Sequence, residues 1–121
     1  MPEETAHTGL SDNAAAAIAY VTFVPAIVFL VLPPYNASPY VRFHAWQSIM
    51  LNVAAVVIDI VLAIVLGIAL VFLPYFLHTL LWGLIELGWL AIWVLCAVKA
   101  LNGKRLKLPI IGDLAEKQAG N

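Results

Sequence analysis

Asp59 and Glu86 are carboxylic acids set in long apolar runs, and no other residues of this chain are as well placed to do chemistry. Asp59 lies fifteen residues before Pro74 and Glu86 twelve after it. As helical distances these are about 22 Å and about 18 Å, so an antiparallel hairpin turning at Pro74 brings both carboxyls to nearly one height. Two ionised carboxylates in a low-dielectric layer repel each other and are poorly solvated, so at least one must be protonated or paired. No Lys or Arg stands at that height. The partner is a proton, an Asn or Trp N–H, a cation or another subunit. Such a pair could relay protons or cations. It could also hold helices together, and three spans are too few to enclose a pathway, so the spacing favours interhelix contact and assembly.

The neighbouring residues fit that preference. At 100° per residue, His44, Ser48, Asn52, Ala55 and Asp59 fall within an arc of about 80°, which Ala63 and Gly67 extend. On the next helix Thr79, Gly83 and Glu86 share one side, with Trp82, Trp89 and Trp93 around the acid. Ser48, Asn52, Asp59, Gly83 and Glu86 are therefore the candidate intramembrane packing residues. His44 and His78 fall near opposite interfaces, where each could ligate a haem or chlorophyll-type metal. Neither has a second histidine four residues away, so neither makes a dedicated metal site. Cys96, the one cysteine, sits in an apolar run and cannot form an intrachain disulfide. No activated serine or cysteine, phosphate loop or zinc spacing is present. The expectation is a non-enzyme with no catalytic residue and no resident cofactor. Lipid, carotenoid or a chlorophyll-type pigment would enter only by contact within a complex.

These residues need elements to position them. Hydrophobic residues make up 64% of the chain and charged residues 11%, with a mean hydropathy of +0.97. A soluble domain of this size could not cover so much apolar surface, so lipid is the expected solvent. The expected fold is all-α, a single integral membrane domain over residues 1–121. Three transmembrane helices are expected at about 14–32, 43–73 and 77–101, the last two an antiparallel hairpin, followed by a tail over 102–121. Ser11, Asp12 and Asn13 can cap the first helix, Pro25 should kink it, and Pro33-Pro34 should stop it. A re-entrant hairpin is the alternative for that segment. Asn102-Gly103 ends the third helix, and Asp113 with Glu116 reads as a capping box opening one short amphipathic helix.

The start of the chain, with Glu3, Glu4 and His7, lacks the basic residues of a secretory signal. Lys99, Lys104, Arg105 and Lys107 crowd the end of the third helix, which predicts a cytoplasmic C-terminus. Three spans then put the N-terminus outside and Arg42 inside. A net charge of −1 and the lack of a basic stripe argue against nucleic acid.

Two stretches, VRFHAWQSIMLNV (41–53) and KLPIIGDLAEKQA (107–119), resemble the signature regions of a bacterial family of small membrane proteins of unknown function, related to the chloroplast inner-envelope import component Tic-twenty. By position the family-like residues are Arg42, Phe43, His44, Gln47 and Ser48, then Leu108, Pro109, Gly112, Asp113 and Glu116. The resemblance implies an all-helical protein of the bacterial inner membrane and, through the chloroplast relatives, a channel-like role in translocation. Both stretches lie on the cytoplasmic side of the expected topology, where Asp113 or Glu116 could pair with Arg42 and fold the tail across the mouth of the bundle. The expected function is that of an accessory or structural subunit of a larger membrane complex, with lipid and other membrane-protein subunits as partners. The alternative is a homo-oligomeric Tic-twenty-like channel or translocation component using Asp59 and Glu86.

Overall fold

The computed structural model describes residues 9–120; Glu3, Glu4 and His7 lie outside the described residues. Among the described residues five α-helices follow one another: α1 (Asp12–Ile18), α2 (Phe23–Val31), α3 (Pro39–Ala69), α4 (Tyr75–Leu101) and α5 (Ile111–Gln118), with a 3-10 turn at Tyr35–Ala37. Among the described residues only α3 and α4 are long and apolar enough to cross a membrane, with mean hydropathies of 2.8 and 2.0.

The expected first span is broken. Ser11 accepts from Ala14 N–H and starts α1, but the helix tightens over residues 19–22, where Tyr20 N–H and Val21 N–H reach back only three residues. Thr22 then accepts from Val24 N–H and starts α2. Pro25 is not the breakpoint. It sits in the first turn of α2, where a missing N–H costs nothing. At 7 and 9 residues, α1 and α2 are roughly 10 Å and 13 Å long, and neither spans a bilayer. Their outer ends meet. Leu10 N–H donates to Tyr35 Oη at 3.0 Å, and Ser38 Oγ donates to Asp12 at 2.9 Å. The segment therefore enters and leaves at one end of the molecule. The expected third span is therefore not present as a membrane-length helix among the described residues.

Ser38 caps α3 by accepting from Val41 N–H, with Pro39 in the first turn, so this helix begins four residues earlier than expected. It also stops at Ala69 rather than 73, because residues 70–73 make the turn and Pro74 serves as the N-cap of α4. Gly103, at φ +77, follows the C-cap Asn102 in the left-handed conformation that glycine adopts without strain.

Burial is confined to one end. The buried residues of α3 run from Val41 to Leu51, and those of α4 are Cys96 and Ala100. Around them α1 packs on α4 and α3, while α2 and α5 pack on α3. These elements form a collar. Ala26 and Phe29 pack with Val41 and Ala45, and Ala16 and Tyr20 pack with Cys96 and Ala100. Phe43 packs with Ala115 and Ala119. Beyond the collar α3 continues for 18 residues (52–69) and α4 for 21 (75–95). These lengths are about 27 Å and 31 Å, close to a hydrocarbon core of about 30 Å. Over this stretch α3 and α4 are not closely packed on each other.

Candidate functional site

The candidate residues gather in two places. The first is a polar knot inside the collar, built on the opening turns of α3. His44 and Gln47 are fully buried there. Tyr20 Oη lies 2.7 Å from His44 Nδ1, and His44 Nε2 lies 3.2 Å from the Lys104 carbonyl. A carbonyl only accepts, so Nε2 carries the proton and Nδ1 accepts from the Tyr20 hydroxyl. That hydroxyl in turn accepts from Gln47 Nε2 at 2.8 Å. The second Gln47 amide proton goes to the Leu106 carbonyl at 2.8 Å, and Gln47 Oε1 accepts from Leu108 N–H at 3.1 Å. Donors and acceptors match throughout with a neutral imidazole. The knot fastens residues 104–108, a strap without helix or strand, to α1 and α3. Tyr40 adds two bonds, donating to the carbonyls of Ala100 (2.6 Å) and Lys104 (3.1 Å). Arg105 stacks over the Tyr40 and Phe43 rings.

This arrangement explains much of the family-like pattern. Gly112 is required because a Cβ there would lie 2.7 Å from Lys107 Cβ and 2.8 Å from its Cα. The expected capping box does not form. α5 starts at Ile111 after Ile110, at φ 64, whose hydrocarbon side chain offers no acceptor to cap the helix. Glu116 instead accepts from Lys107 Nζ at 3.0 Å, and Asp113 lies 3.7 Å from the same ammonium. Glu116, followed by Asp113, raises the Lys107 pKa above its ordinary value. The expected pairing of these acids with Arg42 is thereby corrected. The tail does fold back, but Lys107 holds the acids while Arg42 lies beside Gly120. Pro109 sits in the turn that leads from Leu108 into α5.

The second place is mid-membrane. Trp89 Nε1 donates to Asp59 Oδ1 at 2.9 Å, and Glu86 stands next to Asp59. Two neighbouring carboxylates that are both ionised in a low-dielectric layer repel each other. Asp59 is half-buried, whereas Glu86 is exposed on the single chain. The polar arc of α3 does not act as one face. His44 belongs to the knot, the Ser48 hydroxyl is buried without a partner, Asn52 donates back to the Ser48 carbonyl at 2.8 Å, and Asp59 faces Trp89. Nothing lies within 4 Å of a Cβ placed on Gly67 or Gly83, so the small-residue faces are not packed within the chain.

The histidines are committed to hydrogen bonds. Both ring nitrogens of His44 are engaged, and His78 Nε2 lies 2.7 Å from the Leu70 carbonyl in the α3–α4 turn. Among the described residues no group of three or more His, Cys, Asp or Glu is placed to hold a metal ion. Sequence reasoning missed Tyr20, Tyr40 and Lys107. A signal for Tyr20 existed, since Tyr20 and Thr22 are the only polar side chains between residues 14 and 32.

Residues 7–115 match the model of the magnetosome magnetite crystal formation protein family. A UPF0132 membrane protein of Methanocaldococcus jannaschii is 37% identical over 110 residues, covering 90% of this chain and 89% of the relative. A UPF0132 membrane protein of Archaeoglobus fulgidus is 34% identical over 112 residues, covering 92% of this chain and 98% of the relative. No solved structure matches. The bacterial, Tic-twenty-related assignment is therefore overturned, because the matching family model is a different one and these relatives are archaeal. The two motif stretches belong instead to membrane proteins of this group, and the chain is a member of the magnetosome magnetite crystal formation protein family.

Proposed function

We propose that the chain is a non-enzymatic small subunit that joins a larger membrane assembly through the uncovered lengths of α3 and α4. One observation carries the reading. Glu86 is exposed at mid-membrane beside an open Gly83. A polar group facing acyl chains is costly, and a neighbouring helix that approaches over Gly83 and hydrogen-bonds Glu86 removes that cost. The collar is the cytoplasmic end on this reading, because all six Lys and Arg residues lie on it or next to it. The matched family's description, magnetite crystal formation in magnetosomes, suits a subunit of a mineral-forming membrane compartment.

The test is crosslinking in native membranes from a cysteine placed at Gly83 or Thr79, with Cys96 replaced by alanine. The reading expects a crosslink to a different membrane protein, lost in Glu86→Leu. A second reading, a homo-oligomeric channel, draws on the meeting of Asp59 and Glu86. It expects crosslinks between identical chains and water access to both acids. Failure to crosslink at either position would refute both.

A further inference from the structure

We infer that α1 and α2 form a re-entrant hairpin immersed in one leaflet, and that the resulting wedge shape makes the chain collect where the membrane curves with the collar on the convex side. This does not rest on the subunit reading above. Three observations carry it.

The first is the surface of α2. Its sequence, FVPAIVFLV, holds no polar side chain, and no Asp, Glu, Lys or Arg stands between residues 13 and 41. One side of the helix, Ala26 and Phe29, packs with Val41 and Ala45 of α3. The other side is bare, with Val24, Ile27, Val28 and Val31 exposed by 41–68%. A helix that is apolar all round is buried in protein or in a membrane. Acyl chains are the cover here, because this surface runs on into the lipid-facing length of α3. Ile49 packs at the edge of the same cluster, and Val53, one turn further along that face, is bare.

The second is depth. Ser38 donates to Asp12 at the start of α1, and Gln47 donates to Tyr20 just beyond its end. α1 therefore runs beside α3 toward the bare half, and α2 returns to Tyr35, which meets Leu10. From Ser38 to Gln47 is about 13 Å along the helix, less than half of a hydrocarbon core of about 30 Å. The hairpin enters one leaflet and does not reach the other.

The third is cross-section. Around the collar α1, α2 and α5 pack on α3 and α4, whereas beyond it, among the described residues, only α3 and α4 continue. A helix about 10 Å across covers about 80 Å² of membrane plane, so the three extra helices add about 240 Å² to one side alone. α5 turns Asp113 and Lys117 outward, which sets it among the headgroups of that same leaflet. Material inserted into a single leaflet is accommodated best where that leaflet is stretched, on the convex side of a curved membrane.

The experiment uses the full chain in giant vesicles of dioleoyl phosphatidylcholine from which narrow tubes are pulled, so that protein can exchange between flat wall and tube. With Cys96→Ala throughout, an impermeant fluorophore applied from outside labels Lys117→Cys only in chains whose collar faces out. It labels Phe72→Cys, at the exposed α3–α4 turn, only in chains inserted the other way. The first population should be several-fold denser in the tube than in the flat wall, and the second should be depleted there. Val24→Glu combined with Val28→Glu charges the bare side of α2 and should abolish the enrichment of the first population, with slow tryptic cleavage of the strap showing that the collar is still folded. Equal density in tube and wall for both orientations would overturn the inference, as a second copy covering α2 or a hairpin lying outside the lipid would produce. Undiminished enrichment in the double glutamate variant would overturn the hairpin as its source.

Discussion

The two halves of this molecule solve the same problem, a helix pair in a membrane, by different means. At the collar end α3 and α4 are wrapped by α1, α2, the strap and α5, and the buried polar side chains His44 and Gln47 each have named partners. In the bare half the same two helices stand apart. The hydrogen bond from the Trp89 indole to Asp59 links them, and Val56, Ile60, Ile64 and Leu84 face outward. The difference follows from what covers the backbone. Near the headgroups water competes for every hydrogen bond, so ordering a loop there takes a dense network and an apolar core. Inside hydrocarbon each helix satisfies its own backbone, and lipid covers the side chains. The collar therefore depends on specific partners, and the bare half depends mainly on being apolar.

Variants on either side should separate the two regimes. The largest effect is expected from Gln47→Leu, which leaves the Leu106 carbonyl and Leu108 N–H without their partner. Each group left unpaired costs about 1–3 kcal/mol. Trypsin should then cut at Lys104, Arg105 and Lys107 at least about tenfold faster, because proteolysis follows the opened population. Unchanged cleavage would mean that the knot does not hold the strap.

Gly112→Ala comes next. The new methyl meets the Lys107 Cα and carbonyl carbon within 3 Å, and overpacking of this kind costs about 1–3 kcal/mol. Hydrogen exchange over α5 should quicken while exchange over the bare half of α4 does not. Exchange that quickened in both would erase the distinction between the halves.

Trp89→Phe should do less. It removes the indole donor to Asp59, and interhelix hydrogen bonds in membranes average about 0.6 kcal/mol. Spin labels on Val61 and Leu84 should show a broader distance distribution, with collar protection intact. Asp59→Asn keeps an acceptor for Trp89 and should broaden the distribution less than Trp89→Phe does.

The smallest effect is the pH response of the Lys107 pair. Its pKa is raised from 10.5 in the folded state, first by the hydrogen bond and charge of Glu116. The stabilisation is therefore complete below 10.5 and is lost as pH rises through the higher folded value. The ammonium is exposed and the pair contributes little. Alkaline titration of strap cleavage should show a slight loosening above the ordinary lysine range, absent in Lys107→Met.

Much of the scaffold was legible because it depends on local pattern. The third apolar run, read as 77–101, is the helix Tyr75–Leu101, with Asn102 and Gly103 at its end. The turn at Pro74 and the facing of Asp59 and Glu86 follow from counting rise per residue. Residues 14–32 misled, because nineteen apolar positions fit a span by length, and nothing local shows that Tyr20 is drawn into a knot with His44 and Gln47. Asp113 and Glu116 misled for a related reason. Their spacing suits a capping box, but Lys107, brought back by the turn before α5, competes for both acids.

Composition and hydrophobic run length by themselves determined that this is a helical membrane protein with its charge gathered at one end. Those properties depend only on how much apolar surface each stretch presents to its solvent. Tertiary structure decided that, among the described residues, two helices rather than three are long and apolar enough to cross, that both ring nitrogens of His44 are bound into a knot, and that a slot lies open beside Trp93. Each of these depends on which groups from distant parts of the chain reach one another within about 3 Å, where a hydrogen bond is made or left unmade.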